Sequence, residues 1–418
     1  MKLWLWGNNY AGALGDGTTE PRSSPVQTIT TGSTWSSAHV GYSGAIALKT
    51  DGSLWAWGYN GSGSVGDGTT INRSSPVHIS QGKTWKSLGA SNYNYGVSCA
   101  IDTSNKLFLW GENGYGQLGQ NDTDDRSSPS QMGTKNWLQA AVSGSSAGAI
   151  DTNKKLFMWG RNNDGELGLG DQIDRSSPVQ VGTDNWNMVA TGYNYTMAIK
   201  SDSTLWGWGK NDSGQLGLGD TTYRSSPVQL GSATNWEKIV TSVYHSAALT
   251  KDGSLYMWGY NGEGQLGQND TTDTSSPVQV DGSWDDVSCG EYHTIALKAD
   301  GSVWCFGSNY YGQLGDNTTD NRSSPTQIHG QAQGWTMVSA GYGSLALAGE
   351  APPSKSCSSL SCPTPAFKCY VGVTESCACA KWKFYTAQCT RIQQALGICS
   401  GTSGAYVPAI VVCNQRLI

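Results

Sequence analysis

The strongest constraint on this chain is a phrase that recurs seven times within residues 1–349. Its fullest copy, residues 205–229, reads LWGWGKNDSGQLGLGDTTYRSSPVQ. An aromatic-Gly pair marks each copy and recurs every 48–53 residues, with its aromatic residue at Trp6, Trp57, Trp110, Trp159, Trp208, Trp258 and Phe306. Repetition with this period predicts a propeller or a solenoid, in which each copy forms one supersecondary unit. We therefore expect a binding or structural scaffold rather than an enzyme with a single catalytic site.

Each copy divides into four segments of β-strand character, as residues 236–285 illustrate. Two apolar segments flank Asp252-Gly253, a pair that strongly indicates a hairpin turn. The last segment contains Pro277, which suits an outermost strand because such a strand can spare a ladder donor. The repeat thus predicts a four-stranded antiparallel blade, and the whole series predicts an all-β, seven-bladed propeller.

The two ends of the repeat region are complementary. The chain opens on a third strand, within residues 3–7, and the seventh repeat ends at residues 338–347 with the strands that should precede it. We expect these two segments to pair in one composite blade. Such a blade closes the ring and leaves no unpaired seam.

Two further positions recur for steric reasons. Two residues after each Leu-Gly step, or its equivalent, the copies carry Gly17, Gly68, Asn121, Gly170, Gly219, Asn269 and Asn317. Glycine and asparagine tolerate the left-handed backbone conformation, which we therefore expect there. A second tryptophan series, predicted to pack between blades, comprises Trp35, Trp85, Trp137, Trp186, Trp236, Trp284 and Trp335.

The motif Trp-Gly-x-Asn-x-x-Gly-Gln-Leu-Gly, followed by Gly-Asp and Arg-Ser-Ser-Pro, resembles the regulator-of-chromosome-condensation repeat family over residues 1–349. The resemblance implies a seven-bladed β-propeller, but it fixes no function because one fold hosts many activities. Members that exchange nucleotide on a small GTPase use an inserted β-wedge, and the repeat spacings here leave no room for a large insertion.

Charge and hydropathy argue against nucleic-acid and membrane-spanning classes. Residues 351–418 carry six basic residues against one acidic residue, a net charge of +5, which leaves −11 of the total of −6 for residues 1–350. An acidic propeller does not suit a phosphate backbone, so we expect no nucleic-acid partner. No run of 18 apolar residues occurs, so we expect no membrane span.

Cysteine use sets the last residues apart. Eight cysteines fall at Cys357, Cys362, Cys369, Cys377, Cys379, Cys389, Cys399 and Cys413. This density favours a disulfide framework, whereas zinc fits poorly because the segment has neither a Cys-x-x-Cys pair nor a histidine. We predict three parts: a propeller over residues 1–349, a linker over 350–356 and a disulfide-rich domain over 357–418.

A disulfide framework implies an oxidising final environment, which we expect to be extracellular or the surface of a virion. The chain opens with Met1 directly inside the first repeat, without an apolar leader segment. Two explanations stay open: a leader was removed, or the protein leaves its cell without one, as virion proteins released by lysis do. The retained Met1 favours the second.

No catalytic set emerges from the sequence, and we expect no enzyme activity, no cofactor and no metal site. Of the five histidines, only His245 and His293 share a repeat position. Motifs for a nucleophile elbow, a zinc protease or a phosphate-binding loop are absent. The arginines of the Arg-Ser-Ser-Pro motifs could form an anion-binding ring, but we expect local pairing with turn carboxylates such as Asp174.

The segment after the central Gly of each blade varies most between copies and is rich in tyrosine. We predict a partner-binding rim at one end of the propeller, formed by Tyr42, Tyr95, Tyr193, Tyr195, Tyr244, His245, Tyr292, His293 and Tyr342. The alternative is that these tyrosines cap the central channel. A second variable set lies in the Asn-x-x-Gly turns: Tyr10, Tyr59, Tyr115, Tyr260, Tyr310 and Tyr311.

These patterns favour a non-enzymatic surface protein, either of a phage-type virion or secreted. Its propeller loops would bind a protein or glycan ligand, and its cysteine-rich segment would dock it, for example to other virion proteins. The alternative is a soluble regulator of a partner protein, acting as a secreted enzyme inhibitor or like a GTPase exchange factor.

The disulfide prediction has a direct test. Counting thiols in the denatured, unreduced protein should find none of the eight cysteines in residues 357–413 reactive. Losing a bridge from a small domain costs about 2–5 kcal/mol, so reduction should unfold this segment while the propeller stays folded. Stoichiometric zinc together with eight reactive thiols would contradict the prediction.

Overall fold

The computed structural model describes residues 1–29, 35–79, 82–90, 96–329, 334–348, 367–371 and 377–381. The chain divides into two units, Met1–Ala351 and Pro352–Ile418. The predicted linker, residues 350–356, lies outside the described residues, and its boundaries stay a prediction.

The first unit consists of seven four-stranded antiparallel sheets, which confirms the predicted all-β propeller. Its strands, in chain order, are β1 (Lys2–Gly7), β2 (Arg22–Gln27), β3 (Trp35–Val40), β4 (Gly44–Lys49), β5 (Leu54–Gly58), β6 (Arg73–His78), β7 (Trp85–Ala90), β8 (Val97–Asp102), β9 (Leu107–Gly111), β10 (Arg126–Gln131), β11 (Trp137–Val142), β12 (Ser146–Asp151), β13 (Leu156–Gly160), β14 (Arg175–Gln180), β15 (Trp186–Thr191), β16 (Tyr195–Lys200), β17 (Leu205–Gly209), β18 (Arg224–Gln229), β19 (Trp236–Thr241), β20 (His245–Thr250), β21 (Leu255–Gly259), β22 (Thr274–Val280), β23 (Trp284–Cys289), β24 (His293–Lys298), β25 (Val303–Gly307), β26 (Arg322–Gln327), β27 (Trp335–Ala340) and β28 (Gly343–Ala348). A 3₁₀ turn at Tyr10–Gly12 is the only helical segment among the described residues.

Blades 1 to 6 each take four consecutive strands, from β3–β6 in blade 1 to β23–β26 in blade 6. The first strands of all seven blades surround a central channel of about 280 Å³. The described lining of this channel contains no tyrosine.

Blade 7 is composite, as the ends of the repeat region predict. Its strand order is β2-β1-β28-β27, and β1 pairs antiparallel with β28, with Leu5 opposite Leu345. The N-terminal strand therefore fills the third position of a blade whose first two strands lie more than 300 residues later. This pairing confirms the predicted closure of the ring.

Two layers of aromatic side chains form most of the core. The tryptophans that open each first strand are at most 5% exposed, and the aromatic residues of the third strands, Trp6 through Phe306, are at most 1% exposed. Within a blade the two rings meet at an angle, as Trp186 and Trp208 do with centroids 5.9 Å apart. This geometry is favourable for aromatic pairs and confirms that the tryptophans are core residues.

Each third-strand indole also links its blade to the one before it. The Nε1–H of Trp208 donates to the carbonyl oxygen of Glu166 at 2.9 Å. The same bond, at 2.9–3.0 Å, joins Trp57 to Ala13, Trp110 to Ser64, Trp159 to Gln117, Trp258 to Gln215 and Trp6 to Gln313. Only Phe306 lacks the donor, and the matching carbonyl of Gln265 keeps the bond from the Thr294 hydroxyl, a second-strand hydroxyl bond that other blades, such as Thr196 to Glu166, make beside the indole bond. The bond to Ala13 joins blade 1 to blade 7, and the bond to Gln313 joins blade 7 to blade 6, so the composite blade is linked to its neighbours in the same way.

The left-handed Gly and Asn positions make the complementary link to the following blade. All seven have a φ between 62° and 83°, as predicted. Each donates its backbone N–H to a Ser carbonyl in the next outer strand, at 2.7–2.9 Å: Gly17 to Ser74, Gly68 to Ser127, Asn121 to Ser176, Gly170 to Ser225, Gly219 to Ser275, Asn269 to Ser323 and Asn317 to Ser23. The first serine of each Arg-Ser-Ser-Pro motif, or of its blade 5 equivalent, thus has a structural role between blades.

The motif arginines pair locally, as predicted, but with a different carboxylate. Arg175 bonds to Asp171 at 2.6 Å, whereas Asp174 accepts the backbone N–H of Asn162 at 2.7 Å. Five further pairs have N–O distances of 2.6–2.9 Å: Arg22–Asp16, Arg73–Asp67, Arg126–Asp122, Arg224–Asp220 and Arg322–Asp316. These guanidinium groups are therefore already paired.

In the second unit, strands β29 (Phe367–Val371) and β30 (Cys377–Lys381) form an antiparallel pair in which Cys369 lies opposite Cys379. Cys357, Cys362, Cys389, Cys399 and Cys413 lie outside the described residues, so the disulfide framework stays a prediction. The propeller cysteines Cys99, Cys289 and Cys305 are buried and free.

Replacing Trp208 separates the packing of the indole from its hydrogen bond. Trp208→Ala should lower the free energy of unfolding by about 3–5 kcal/mol because it leaves a core cavity. Trp208→Phe should cost less, about 1–3 kcal/mol, since the phenyl ring fills most of the site and the Glu166 carbonyl still accepts from the Thr196 hydroxyl at 2.9 Å. Denaturant unfolding measures both values, and equal losses for the two variants would contradict the assignment.

Candidate partner-binding face

Both variable tyrosine sets lie at the same end of the propeller. The turn between the first two strands of each blade and the segment after its third strand meet there because the strands are antiparallel. Backbone bonds join them directly: the N–H of Tyr59 donates to Ser43 at 2.8 Å, and that of Tyr260 donates to Tyr244 at 3.0 Å. We call this end the turn face.

The turn face has a tyrosine sector across the contiguous blades 5, 6, 7 and 1. It comprises Tyr10, Tyr42, Tyr59, Tyr244, Tyr260, Tyr292, Tyr310, Tyr311 and Tyr342. Rings from neighbouring blades contact one another, with centroids 4.4 Å apart for Tyr42 and Tyr342 and 5.6 Å apart for Tyr244 and Tyr292. Tyr311 approaches Tyr342 at 5.4 Å and Tyr10 approaches Tyr59 at 6.4 Å. The sector therefore contains three clusters of contacting rings: Tyr10 with Tyr59, Tyr42 with Tyr342 and Tyr311, and Tyr244 with Tyr260 and Tyr292.

Accessibility differs within the tyrosine sector. Tyr310 and Tyr10 are 66% and 63% exposed, and Tyr311 is 40% exposed. The remaining members are half-buried. The tyrosines thus combine exposed aromatic area with positions partly fixed by packing, a combination typical of binding patches.

Three members of the predicted rim are corrected by the structure. Tyr195, His245 and His293 are at most 1% exposed, so they cannot contact a partner at the surface. Each is the first residue of a second strand and points toward the next blade. The Tyr195 hydroxyl donates to the His245 carbonyl at 2.8 Å, and the Nε2 atoms of His245 and His293 lie 3.0 and 2.8 Å from the Thr294 and Ser344 hydroxyls.

The two histidines lie in consecutive blades and are structural. Burial lowers the pKa of His245 and of His293 to about 3. Both rings are therefore neutral at physiological pH and act as hydrogen-bonding bridges between blades.

Of the other predicted rim residues, Tyr193 is half-buried on the turn face in blade 4, next to the tyrosine sector, and Tyr95 lies outside the described residues. The predicted role of the exposed and half-buried tyrosines in partner binding stays a prediction.

Blades 2, 3 and 4 form a charged sector that the sequence analysis missed. Its members include Glu112, Arg161 and Lys210, each of which directly follows a third-strand Trp-Gly pair. Arg161 lies over the Tyr115 ring at 5.8 Å and donates to the Asn194 side chain at 3.0 Å, while Lys210 pairs with Asp212 at 3.1 Å. The sequence could have indicated this sector, because the residue after the aromatic-Gly pair varies between copies: Asn8, Tyr59, Glu112, Arg161, Lys210, Tyr260 and Ser308.

Glu166 is a buried acid beneath the charged sector. It is fully buried and takes the place that glutamine fills in four other blades. One carboxylate oxygen accepts the Asp164 N–H at 2.8 Å, and the other has no hydrogen-bond partner in the structure. Burial raises the pKa of Glu166 to about 7. The half-buried Glu112 has its pKa raised to about 7 by burial and by Asp125.

Within the described residues, no three His, Cys, Asp or Glu side chains come together in a group that could hold a metal ion. The described part of the chain also has no helix long and apolar enough to cross a bilayer.

Comparison with known families agrees with this architecture. Residues 1–285 match the model of the RCC1-like domain, and residues 284–313 and 300–347 match models of the Regulator of chromosome condensation (RCC1) repeat. Among curated proteins, the chain is similar to the Ultraviolet-B receptor UVR8 of Arabidopsis thaliana, with 32% identity over 128 residues, 30% of this chain and 29% of the receptor. It is also similar to Protein RCC2 of Homo sapiens, with 35% identity over 129 residues, 31% of this chain and 22% of that protein. The matches cover less than a third of either relative.

Solved structures show the same fold. Prp20p from Saccharomyces cerevisiae has a TM-score of 0.73 at 22% identity, over 82% of this chain and 90% of that chain. Human WBSCR16 has a TM-score of 0.73 at 21% identity, over 82% of this chain and 97% of that chain. At these identities the likeness defines the fold alone.

The buried carboxyl gives a pH-dependent prediction. The unfolded chain releases the Glu166 proton near pH 4.5 and the folded protein near pH 7, so stability is lost as pH rises between those values. Glu166→Gln removes this loss. The variant should match the parent near pH 4 and exceed its unfolding free energy by roughly 1–3 kcal/mol at pH 8.

Urea unfolding across this pH range measures the difference. The matched control is Gln117→Glu at the equivalent position of blade 2, which should show the opposite trend. A difference between Glu166→Gln and the parent that does not change with pH would contradict the prediction.

Proposed function

The chain belongs to the RCC1-like domain family, and on that premise we propose that it is a non-enzymatic scaffold that binds a partner protein through its turn face. The family's propeller hosts proteins that act by binding others. Prp20p has been characterised for its binding to Gsp1p and histones, and a structure of Kap60 bound to it has been determined. These partners belong to that protein.

The proposal rests on a contrast between the repeated positions, which hold the blades together, and the variable positions, which lie on the turn face. Residues that repeat from blade to blade, such as the third-strand indoles and the left-handed Gly and Asn residues, form the hydrogen bonds between blades. The turn-face residues differ between blades, and in the contiguous blades 5, 6, 7 and 1 they include nine tyrosines, most of them in clusters of contacting rings. Tyrosine supplies large contact area at low entropic cost, which suits a recognition surface.

For location we propose an extracellular or virion-surface setting, with the cysteine-rich segment as a docking module. Its support is compositional: eight cysteines within residues 357–413, compared with three in the preceding 356 residues. A soluble regulator of a partner protein is the second candidate. It is favoured by the structural similarity to Prp20p, whose characterised partners include Gsp1p.

The test uses Tyr310 and Tyr311, which are exposed, so their replacement should leave folding unchanged. A partner is captured with the full chain from extract and medium of the source cells, purified and titrated by calorimetry. The double variant Tyr310→Ala and Tyr311→Ala should weaken its binding by at least about 30-fold, equivalent to 2 kcal/mol, the scale of an aromatic hot spot.

The matched control is Leu138→Ala, which removes an exposed apolar side chain at the opposite end, where it is 39% exposed. The control should bind like the parent. If Leu138→Ala abolishes binding and the tyrosine variant does not, the binding surface is the opposite end and the proposal is wrong.

A further inference from the structure

Glu291 occupies the middle of the tyrosine sector. It lies in the turn between β23 and β24 of blade 6, where its backbone N–H donates to the Gly341 carbonyl of blade 7 at 3.1 Å. The residue is half-buried. Its carboxylate is close enough to Tyr292 and Tyr342 to affect both phenols. The pKa of Tyr292 is raised by burial and next by the charge of Glu291. The pKa of Tyr342 is raised by burial, by the neighbouring tyrosines and also by Glu291.

This carboxylate has no cation beside it. No ion pair among the described residues includes Glu291. The turn-face segments of blades 5, 6, 7 and 1 contain no Lys or Arg; they are residues 242–244, 260–266, 290–292, 308–313, 341–343, 8–15, 41–44 and 59–65. The arginines that open the outer strands of blades 6, 7 and 1 lie toward this end, but each is paired with an aspartate: Arg322 with Asp316, Arg22 with Asp16 and Arg73 with Asp67. Burial raises the pKa of Glu291, and a hydrogen bond from the Tyr292 side chain only partly opposes this.

The surroundings of Glu291 suit a planar cation. Tyrosine faces attract cations through their quadrupole. A guanidinium can stack on such a face while its N–H groups bond to a carboxylate in a fork, and it is more weakly hydrated than an ammonium. A half-buried carboxylate without a counter-ion is costly, and an incoming guanidinium removes that cost.

We propose that the tyrosine sector is a docking site for an arginine-bearing segment of the protein partner, with the guanidinium paired to Glu291 and stacked on Tyr342 or Tyr292. This inference rests on the proposed function and specifies the chemistry of its partner. The net charge of −11 over residues 1–350 would also steer a cationic segment toward the propeller. Neutral glycans, which also bind aromatic surfaces, would not need the carboxylate.

The probe is a fluorescently labelled hexa-arginine peptide, titrated with the full chain and followed by anisotropy at physiological salt, which screens non-specific attraction. Hexa-lysine and hexa-citrulline peptides of equal length are the comparison probes. We expect hexa-arginine to bind several-fold more tightly than hexa-lysine, and hexa-citrulline not to bind.

Glu291→Gln should weaken hexa-arginine binding at least 10-fold, and Tyr311→Ala should also weaken it because Tyr311 supports the Tyr342 ring. The matched control is Glu237→Gln, which removes the same charge from an exposed residue at the opposite end of the propeller and should change binding less than 2-fold. Thermal melts of all three variants check that they fold.

Equal binding to the parent and to Glu291→Gln, or no binding of hexa-arginine to the parent at millimolar peptide, would overturn the inference. Binding of a glycan array that depends on Tyr311 but not on Glu291 would overturn it in favour of a glycan ligand. If a captured protein partner loses affinity for the Tyr310 and Tyr311 double variant but not for Glu291→Gln, the inference fails while the proposed function stands.

Discussion

The packing of one buried aromatic side chain from each third strand against the preceding blade, Trp in six blades and Phe306 in the other, is the interaction on which the rest of this propeller depends. A blade has two faces and cannot bury both alone, so each must pack against a neighbour. The indole fills space between the two blades. Its N–H also donates to a buried carbonyl in the loop between the third and fourth strands of the preceding blade, and without the indole this carbonyl would lose one hydrogen bond. The same loop binds the next outer strand through its left-handed Gly or Asn. Because both links fix the loops at one end, the core holds the turn face in place together with the contacts between its own residues.

Much of this fold could be predicted from residues that repeat. The number of blades, the composite closure at β1 and β28, the tryptophan core and the left-handed positions all follow from the period and from steric limits on the backbone. Partners across blades could not be predicted in the same way. Asp171 and Asp174 both lie near Arg175 in sequence, and only the path of the loop decides which carboxylate reaches it. Similarly, the role of the motif serines appears only when the neighbouring blade is in place.

The candidate site was predicted less completely, for a geometric reason. Tyr193 and Tyr195 are two residues apart, but a tight turn separates them, so that Tyr193 lies on the turn face and Tyr195 opens a buried strand. His245 and His293 share the buried position, where a long polar side chain can bridge to the next blade. Variation between copies therefore marks two kinds of position, those exposed on the turn face and those bridging particular blades. The charged sector was missed because its residues, which all follow a third-strand Trp-Gly pair, include both an acid and two bases and so form no uniform pattern.

The composite blade has a consequence for biosynthesis. Strand β1 is made before the other six blades, yet its antiparallel neighbour β28 is completed only after residue 348 has been added. Until then β1 has β2 on one side and an open edge on the other, which is a template for pairing with another chain. The ring therefore cannot finish closing during most of translation, and the last step joins two strands that the other six blades separate in the chain. Since such long-range pairing is slow, high expression rates should favour exchange of β1 between nascent chains over closure within one.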